Sequence, residues 1–117
     1  SGAFGALQEV AAFALGDVRE ELLAEVLKPY PRRRAVLVEA LAQAGIEVFA
    51  TQATFYVWAR VPGQETSLAF CARLLKAAGV VAAPGVGFGA AGEGWFRLSL
   101  TAPDARIDAA AERLRGL

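Results

Sequence analysis

Histidine is absent from this chain. Ser-His-Asp and Cys-His nucleophile schemes are therefore excluded within these residues, and so are His-ligated metal sites. Cysteine occurs once, as Cys71, so no internal disulfide can form; this favours a reducing, cytoplasmic compartment. Neither sign of charge is in excess, with 12 Lys and Arg against 12 Asp and Glu. Net charge thus supplies no case for nucleic acid or for an anionic membrane. There is no apolar run long enough to span a bilayer and no cationic-then-apolar leader. What is plentiful is apolar surface. Hydrophobic residues make up 56% of 117, a length that fits one domain. A small domain buries a smaller share of its surface than a large one, which leaves apolar area for a partner.

The chain is organised around Gly79–Thr101, GVVAAPGVGFGAAGEGWFRLSLT. A short apolar strand, Val80–Ala83, breaks at Pro84-Gly85. A loop follows that carries Gly85, Gly87, Gly89, Gly92 and Gly94, and a second strand runs from Trp95 to Thr101. Alternation puts Phe96, Leu98 and Leu100 on one face and Trp95, Arg97, Ser99 and Thr101 on the other. Arg97 is the one charge of this strand. It follows a loop that can bring backbone N–H groups close to a ligand. Its planar, permanently charged fork suits a carboxylate or phosphate; a solvated strand arginine is the alternative.

From the N-terminus, residues 1–16 read as a helix with Leu7, Val10, Ala11, Ala14 and Leu15 at helical spacing and Gly16 as its stop. Asp17 can cap a second helix over Val18–Lys28, with Glu20 at the capping-box position and Leu22, Leu23, Val26 and Leu27 along it. Pro29 and Pro31 predict a break. A third helix, Arg32–Ala44, turns Val36, Leu37, Ala40 and Leu41 inward. The adjacent Arg32, Arg33 and Arg34 point in different directions, which fits a solvated or salt-bridged turn rather than a nucleic-acid patch. Ile46–Phe49 and Phe55–Val61 read as strands. The second has Phe55, Val57, Ala59 and Val61 on one face and Tyr56, Trp58 and Arg60 on the other. Ser67 or Thr66 caps a helix to Ala78 whose buried stripe is Leu68, Cys71, Leu74, Leu75 and Ala78. Cys71 is most simply a small core residue, since no histidine base is at hand. The last helix follows a cap at Thr101 with an early Pro103, and buries Ile107, Ala110, Ala111 and Leu114. This order predicts an α/β domain of the two-layer α+β kind. A small mixed or mainly antiparallel sheet has helices on one face, and Tyr56, Trp58, Trp95 and Arg97 lie on the other.

Gly85-Val86-Gly87-Phe88-Gly89-Ala90 matches the outline of a dinucleotide fingerprint, but that fingerprint must open a helix. Here a strand comes next, which argues against a nucleotide-binding domain. The same segment, with Phe88-Gly89, Gly92-Glu93-Gly94 and Phe96–Leu100, resembles the C-terminal small domain of the aspartate-aminotransferase-like, fold-type-I (class I/II) pyridoxal-phosphate enzymes. Ala53–Ala59 followed by Val61-Pro62 is similar to the strand of LL-diaminopimelate and N-succinyldiaminopimelate aminotransferases. Tyr30, Arg33 and Arg34 ahead of Leu37 and Leu41 resemble the tyrosine and paired arginines of the family's long helix. Gln8 with Ala11-Ala12 and Ala14-Leu15 resembles the helix after its lysine segment. The resemblance spans nearly the whole chain.

It implies that residues 1–117 are the small domain of an aminotransferase, which moves an amino group from an amino acid to a 2-oxo acid. Arg97 would grip the substrate α-carboxylate. The loop Pro84–Gly94 would border the active-site mouth and close with the domain, with Phe88 and Tyr56 as lining or packing residues. The family's Schiff-base lysine, pyridine-nitrogen aspartate and main phosphate-binding residues have no counterpart here. Lys28 and Lys76 are the only lysines, and neither lies in the lysine motif. Pro29 and Pro31 also depart from relatives, which usually continue the helix. The resemblance therefore implies no catalytic, cofactor-binding or metal-binding residue in this chain. Pyridoxal phosphate would bind in the complete enzyme, and a large domain, an amino-acid substrate and a homo-oligomeric mate would be the partners. A stand-alone interaction module of the same fold, without catalysis, is the alternative.

Overall fold

The computed structural model describes residues 2–16, 19–50 and 53–117. The expected cap Asp17, the helix start at Val18 and the side chain of Leu22 lie outside the described residues. The chain divides into two compact units, residues 1–31 and 32–117.

The first unit holds α1, Gly5–Leu15, and α2, Arg19–Leu27. Helix α1 stops at Gly16, as the spacing predicts, and buries none of its residues. Leu7, Val10, Phe13 and Leu15 are all exposed, Val10 at 64%. Its helical spacing therefore has no core to serve within this unit. Helix α2 ends before a turn at Lys28-Pro29. The expected break is thus at Pro29 alone. Helix α3 runs over Tyr30–Gln43 and includes Pro31 in its first turn. That position costs nothing, because the missing N–H is one that a first turn leaves unpaired.

In the second unit a three-stranded antiparallel sheet has the order β1-β3-β2, with β1 Tyr56–Arg60, β2 Ala83–Pro84 and β3 Trp95–Ser99. Val57 opposes Leu98 and Ala59 opposes Phe96; all four are buried. Helix α4, Ser67–Ala78, covers this face. The ring of its Phe70 lies 4.8 Å from that of Phe96. Helix α5, Asp104–Leu114, adds Ile107, Ala111 and Leu114, and α3 adds Leu37, Ala40 and Leu41. Truncating either core phenylalanine to alanine removes about 3–5 kcal/mol of stability.

Several expectations change in detail. Alternation predicts Phe55 in the core, yet it is 43% exposed. Thr54 has a φ of 70° and its hydroxyl accepts the Tyr56 N–H, so the chain bends just before β1 and alternation does not reach back to Phe55. On α4 the buried stripe is Ser67, Phe70, Cys71, Leu74 and Ala78. Leu68 and Leu75 instead face outward, at 63% and 52% exposure. Cys71, Leu74 and Ala78 keep their expected places, and the stripe is turned by roughly 50°, about half the step of one residue, because bulky Phe70 is taken into the core. Thr66 is the cap, accepting the Ala69 N–H at 3.3 Å. Gly79 closes α4 in the left-handed region at φ 61°, as expected of a C-terminal glycine. Thr101 does not cap α5; its hydroxyl pairs with that of Ser99, and Pro103 occupies the cap position. The strand expected at Ile46–Phe49 is a single bridge, Val48 to Ala59. The strand expected at Val80–Ala83 shrinks to Ala83–Pro84, and Pro84 sits on an edge strand, where a missing N–H is tolerated.

Candidate functional site

Central strand β3 carries Arg97 on the face away from the helices. Trp58 opposes it on β1 and Ala83 on β2. The flanking side chains are aromatic. Trp58 and Trp95 are stacked, with centroids 6.4 Å apart and planes 15° apart. Phe49 meets Trp95 edge-on at 6.3 Å, and Phe88 meets Trp58 edge-on at 5.5 Å. The expected open aromatic face is therefore a packed cluster, in which Tyr56, Trp58 and Trp95 are half-buried.

Arg97 is also half-buried, and its guanidinium lies on two of these rings. Its Cζ is 3.8 Å from the Tyr56 centroid and 4.4 Å from the Phe88 centroid. Both distances are well inside the range of a cation–π contact. Arg97 is paired through its backbone in the sheet, but among the described residues no hydrogen bond or ion pair engages its guanidinium. Each N–H of the fork is thus left for an acceptor that these residues do not supply, while the carbon skeleton and one charged face are held in place. Arg97, Tyr56 and Phe88 are the site residues that the sequence predicts, and the fold brings all three together.

The glycine loop works differently from its sequence-based reading. It forms two 3₁₀ turns, Gly85–Phe88 and Ala90–Gly92. A Cβ on Gly85 would fall 2.0 Å from the Gly92 carbonyl oxygen, and one on Gly92 would fall 2.1 Å from that of Gly85. These two glycines permit the loop to close on itself. Several of its N–H groups have partners in the fold: Gly89 donates to Val86, Gly92 to Gly89 and Glu93 to Ala90 within the loop, and Val86 donates to the Ser67 hydroxyl of α4. These four are not free for a ligand, and a strand rather than a helix N-terminus follows, so there is no dipole end for a pyrophosphate.

Sequence reasoning missed what ties the loop down. Fully buried Ser67 donates its N–H to Glu93 Oε1 at 2.6 Å and its hydroxyl to Oε2 at 3.1 Å. Gly94 N–H donates to the same carboxylate at 3.0 Å. The Ser67 N–H and then the Gly94 N–H hold the Glu93 carboxyl below the usual range, since hydrogen bonds to the charged form favour it. An anion at the start of α4 also meets its positive end. The only hint in the sequence was a lone acid between two loop glycines. Cys71 is buried, and burial pushes its thiol pKa up, against a nucleophile role. A hollow of about 210 Å³ bordered by Glu47, Arg60 and Pro62 does not include Arg97.

Residues 3–114 match the family described as aminotransferase class I and II. The chain belongs to that family. It is 44% identical over its full length to the LL-diaminopimelate aminotransferase of Aquifex aeolicus and 49% identical to that of Oleidesulfovibrio alaskensis, and it spans 30% of each of those proteins. Among solved structures, LL-diaminopimelate aminotransferase from Chlamydomonas reinhardtii superposes with a TM-score of 0.84 at 26% identity, over 99% of this chain and 28% of that one. An aromatic aminotransferase from Pyrococcus horikoshii gives 0.79 at 34% identity, over 91% of this chain and 29% of that one. Within the aminotransferase family, the expectation of helices with a small antiparallel sheet holds in this structure.

Proposed function

We propose that residues 1–117 are the small domain of a pyridoxal-phosphate-dependent aminotransferase, and that Arg97 binds the α-carboxylate of its amino-acid substrate. A diaminopimelate-type amino acid is the substrate class, as the names of the relatives suggest, and lysine biosynthesis is the corresponding metabolic setting. The observation that carries this reading is a half-buried guanidinium packed on Tyr56 and Phe88 with no acceptor among the described residues. A carboxylate supplies what that fork lacks: one negative charge and two oxygens in a plane.

The residues of this chain do not fit the cofactor. Lys28 is an exposed side chain with its Nζ 3.8 Å from Glu25, and Lys76 lies in the last turn of α4, on the element that covers the opposite sheet face from Arg97. The cofactor and its lysine belong to the remaining length that the relatives have and this chain does not span. That remainder, together with a second copy in a homo-oligomer, also supplies a cover for the exposed apolar side chains of α1.

The test uses the complete protein. Arg97→Ala should raise KM for the amino donor while pyridoxal-phosphate binding stays near wild type. Loss of a partly buried charge-assisted contact costs about 2–5 kcal/mol. Because the α-carboxylate is present before and during the reaction, the loss falls mainly on KM. Unchanged kinetics would return Arg97 to a solvated strand residue and favour the stand-alone interaction module.

A further inference from the structure

Phe88 is an unusual neighbour for a strand arginine. It comes from the loop rather than the sheet, it ends the first 3₁₀ turn, and it is 52% exposed. A ring so exposed adds little to a core. Its ring contacts among the described residues point elsewhere: edge-on to Trp58 at 5.5 Å and onto the Arg97 guanidinium at 4.4 Å. Trp58 is itself the cross-strand neighbour of Arg97. The loop beneath is fixed by the Gly85–Gly92 backbone crossing and by the Ser67–Glu93 hydrogen bonds.

We propose that Phe88 is a positioning residue for Arg97. Together with Tyr56 it holds the guanidinium at one rotamer, so that the fork meets a carboxylate already aimed. The physical basis is that a free arginine side chain loses much rotamer entropy when it binds. A ring that holds it in place beforehand removes part of that cost. Tyr56 is fixed to the sheet, whereas Phe88 belongs to the loop, so Phe88 makes the carboxylate site depend on how the loop is folded. This inference rests on the reading of Arg97 as the carboxylate-binding residue.

The test compares Phe88→Leu, Phe88→Tyr and Arg97→Ala in the complete protein, with kcat and KM measured for the amino donor. Leucine keeps apolar bulk and removes the ring face; tyrosine keeps the ring. Phe88→Leu should raise KM roughly three- to tenfold with kcat changed much less, in line with the size of a cation–π contact. Phe88→Tyr should restore most of the affinity. In the double variant Phe88→Leu with Arg97→Ala, the Phe88 change should add nothing further to KM. Phe88→Leu with wild-type KM would overturn the proposal, and so would an undiminished Phe88 effect when Arg97 is already gone. If Arg97→Ala itself leaves KM unchanged, the carboxylate reading fails instead. A Phe88 effect that survives in that background then marks a role apart from Arg97 and overturns the positioning role as well.

Discussion

Two places in the second unit hold arginines against the rest of the fold, and they differ in what each arginine lacks. At the seam between α3 and α5, Arg33 Nε donates to Asp104 at 2.5 Å and its Nη1 to the Leu100 carbonyl at 3.1 Å. Beside it Arg32 makes a two-pronged contact with Asp108 at 3.1 and 2.9 Å. On the open face of the sheet, Arg97 has rings on its π surface and no acceptor on its N–H groups among the described residues. The seam arginines are satisfied by residues close in space but 67 to 76 positions away in sequence, and they fasten two helices. The sheet arginine is held without being satisfied. Arg34 shows that a missing partner alone does not make a site. Its Nη1 also lacks a hydrogen bond among the described residues, but that atom is buried and closed to a ligand, whereas Arg97 remains half-open.

The contrast predicts opposite effects from the same substitution. Arg97→Ala should cost substrate binding about 2–5 kcal/mol and folding stability only about 1 kcal/mol in urea, from the lost ring contacts. Arg33→Ala should do the reverse. It strips the Leu100 carbonyl and Asp104 of a mostly buried donor, at about 1–3 kcal/mol of stability, with KM untouched. Equal effects of the two on stability would erase the distinction. Arg32→Ala should cost less than Arg33→Ala, about 0–1 kcal/mol in urea denaturation, because both Arg32 and Asp108 are about half exposed and the pair is screened.

The smallest effect concerns the loop that carries Phe88. Glu93 titrates below the ordinary glutamate value of 4.5 in the folded chain. A depressed folded pKa means that its contribution is present above the unfolded value and lost as pH falls through the folded one. Protection of the Gly94 and Val86 amides, measured as exchange relative to the free amide at the same pH, should therefore be high at neutral pH and fall as pH drops through the lowered Glu93 pKa. In Glu93→Gln the two amides should exchange faster than in wild type at neutral pH. Identical exchange in the two proteins would show that the glycine crossing alone holds the loop.

Much of this arrangement was legible in the sequence. Period-two alternation put Phe96, Leu98, Val57 and Ala59 on the covered face and Arg97 with Tyr56 and Trp58 on the other, because those positions lie inside extended strands. It failed at Phe55, where a left-handed Thr54 ends the extended geometry. Helical spacing failed at Leu68 and Leu75, because the choice of stripe depends on which bulky residue the sheet accepts, and that is a tertiary fact. The glycines were visible, but their purpose was not. Whether a glycine opens a loop to a ligand or lets the loop touch itself depends on the partner backbone. Ser67 bonding to Glu93, 26 residues away, and Arg33 bonding to Asp104 are contacts of the same long-range kind.

On the proposed reading, Arg97 is held open for a carboxylate. The most direct measurement is a crystal structure of the complete protein with its amino-acid substrate or a non-reactive analogue bound. The α-carboxylate is expected on the Arg97 guanidinium, both oxygens at about 2.7–2.9 Å, with Tyr56 and Phe88 still against the guanidinium. A substrate carboxylate bound by other residues, with the Arg97 fork facing water or a protein carboxylate, would contradict it.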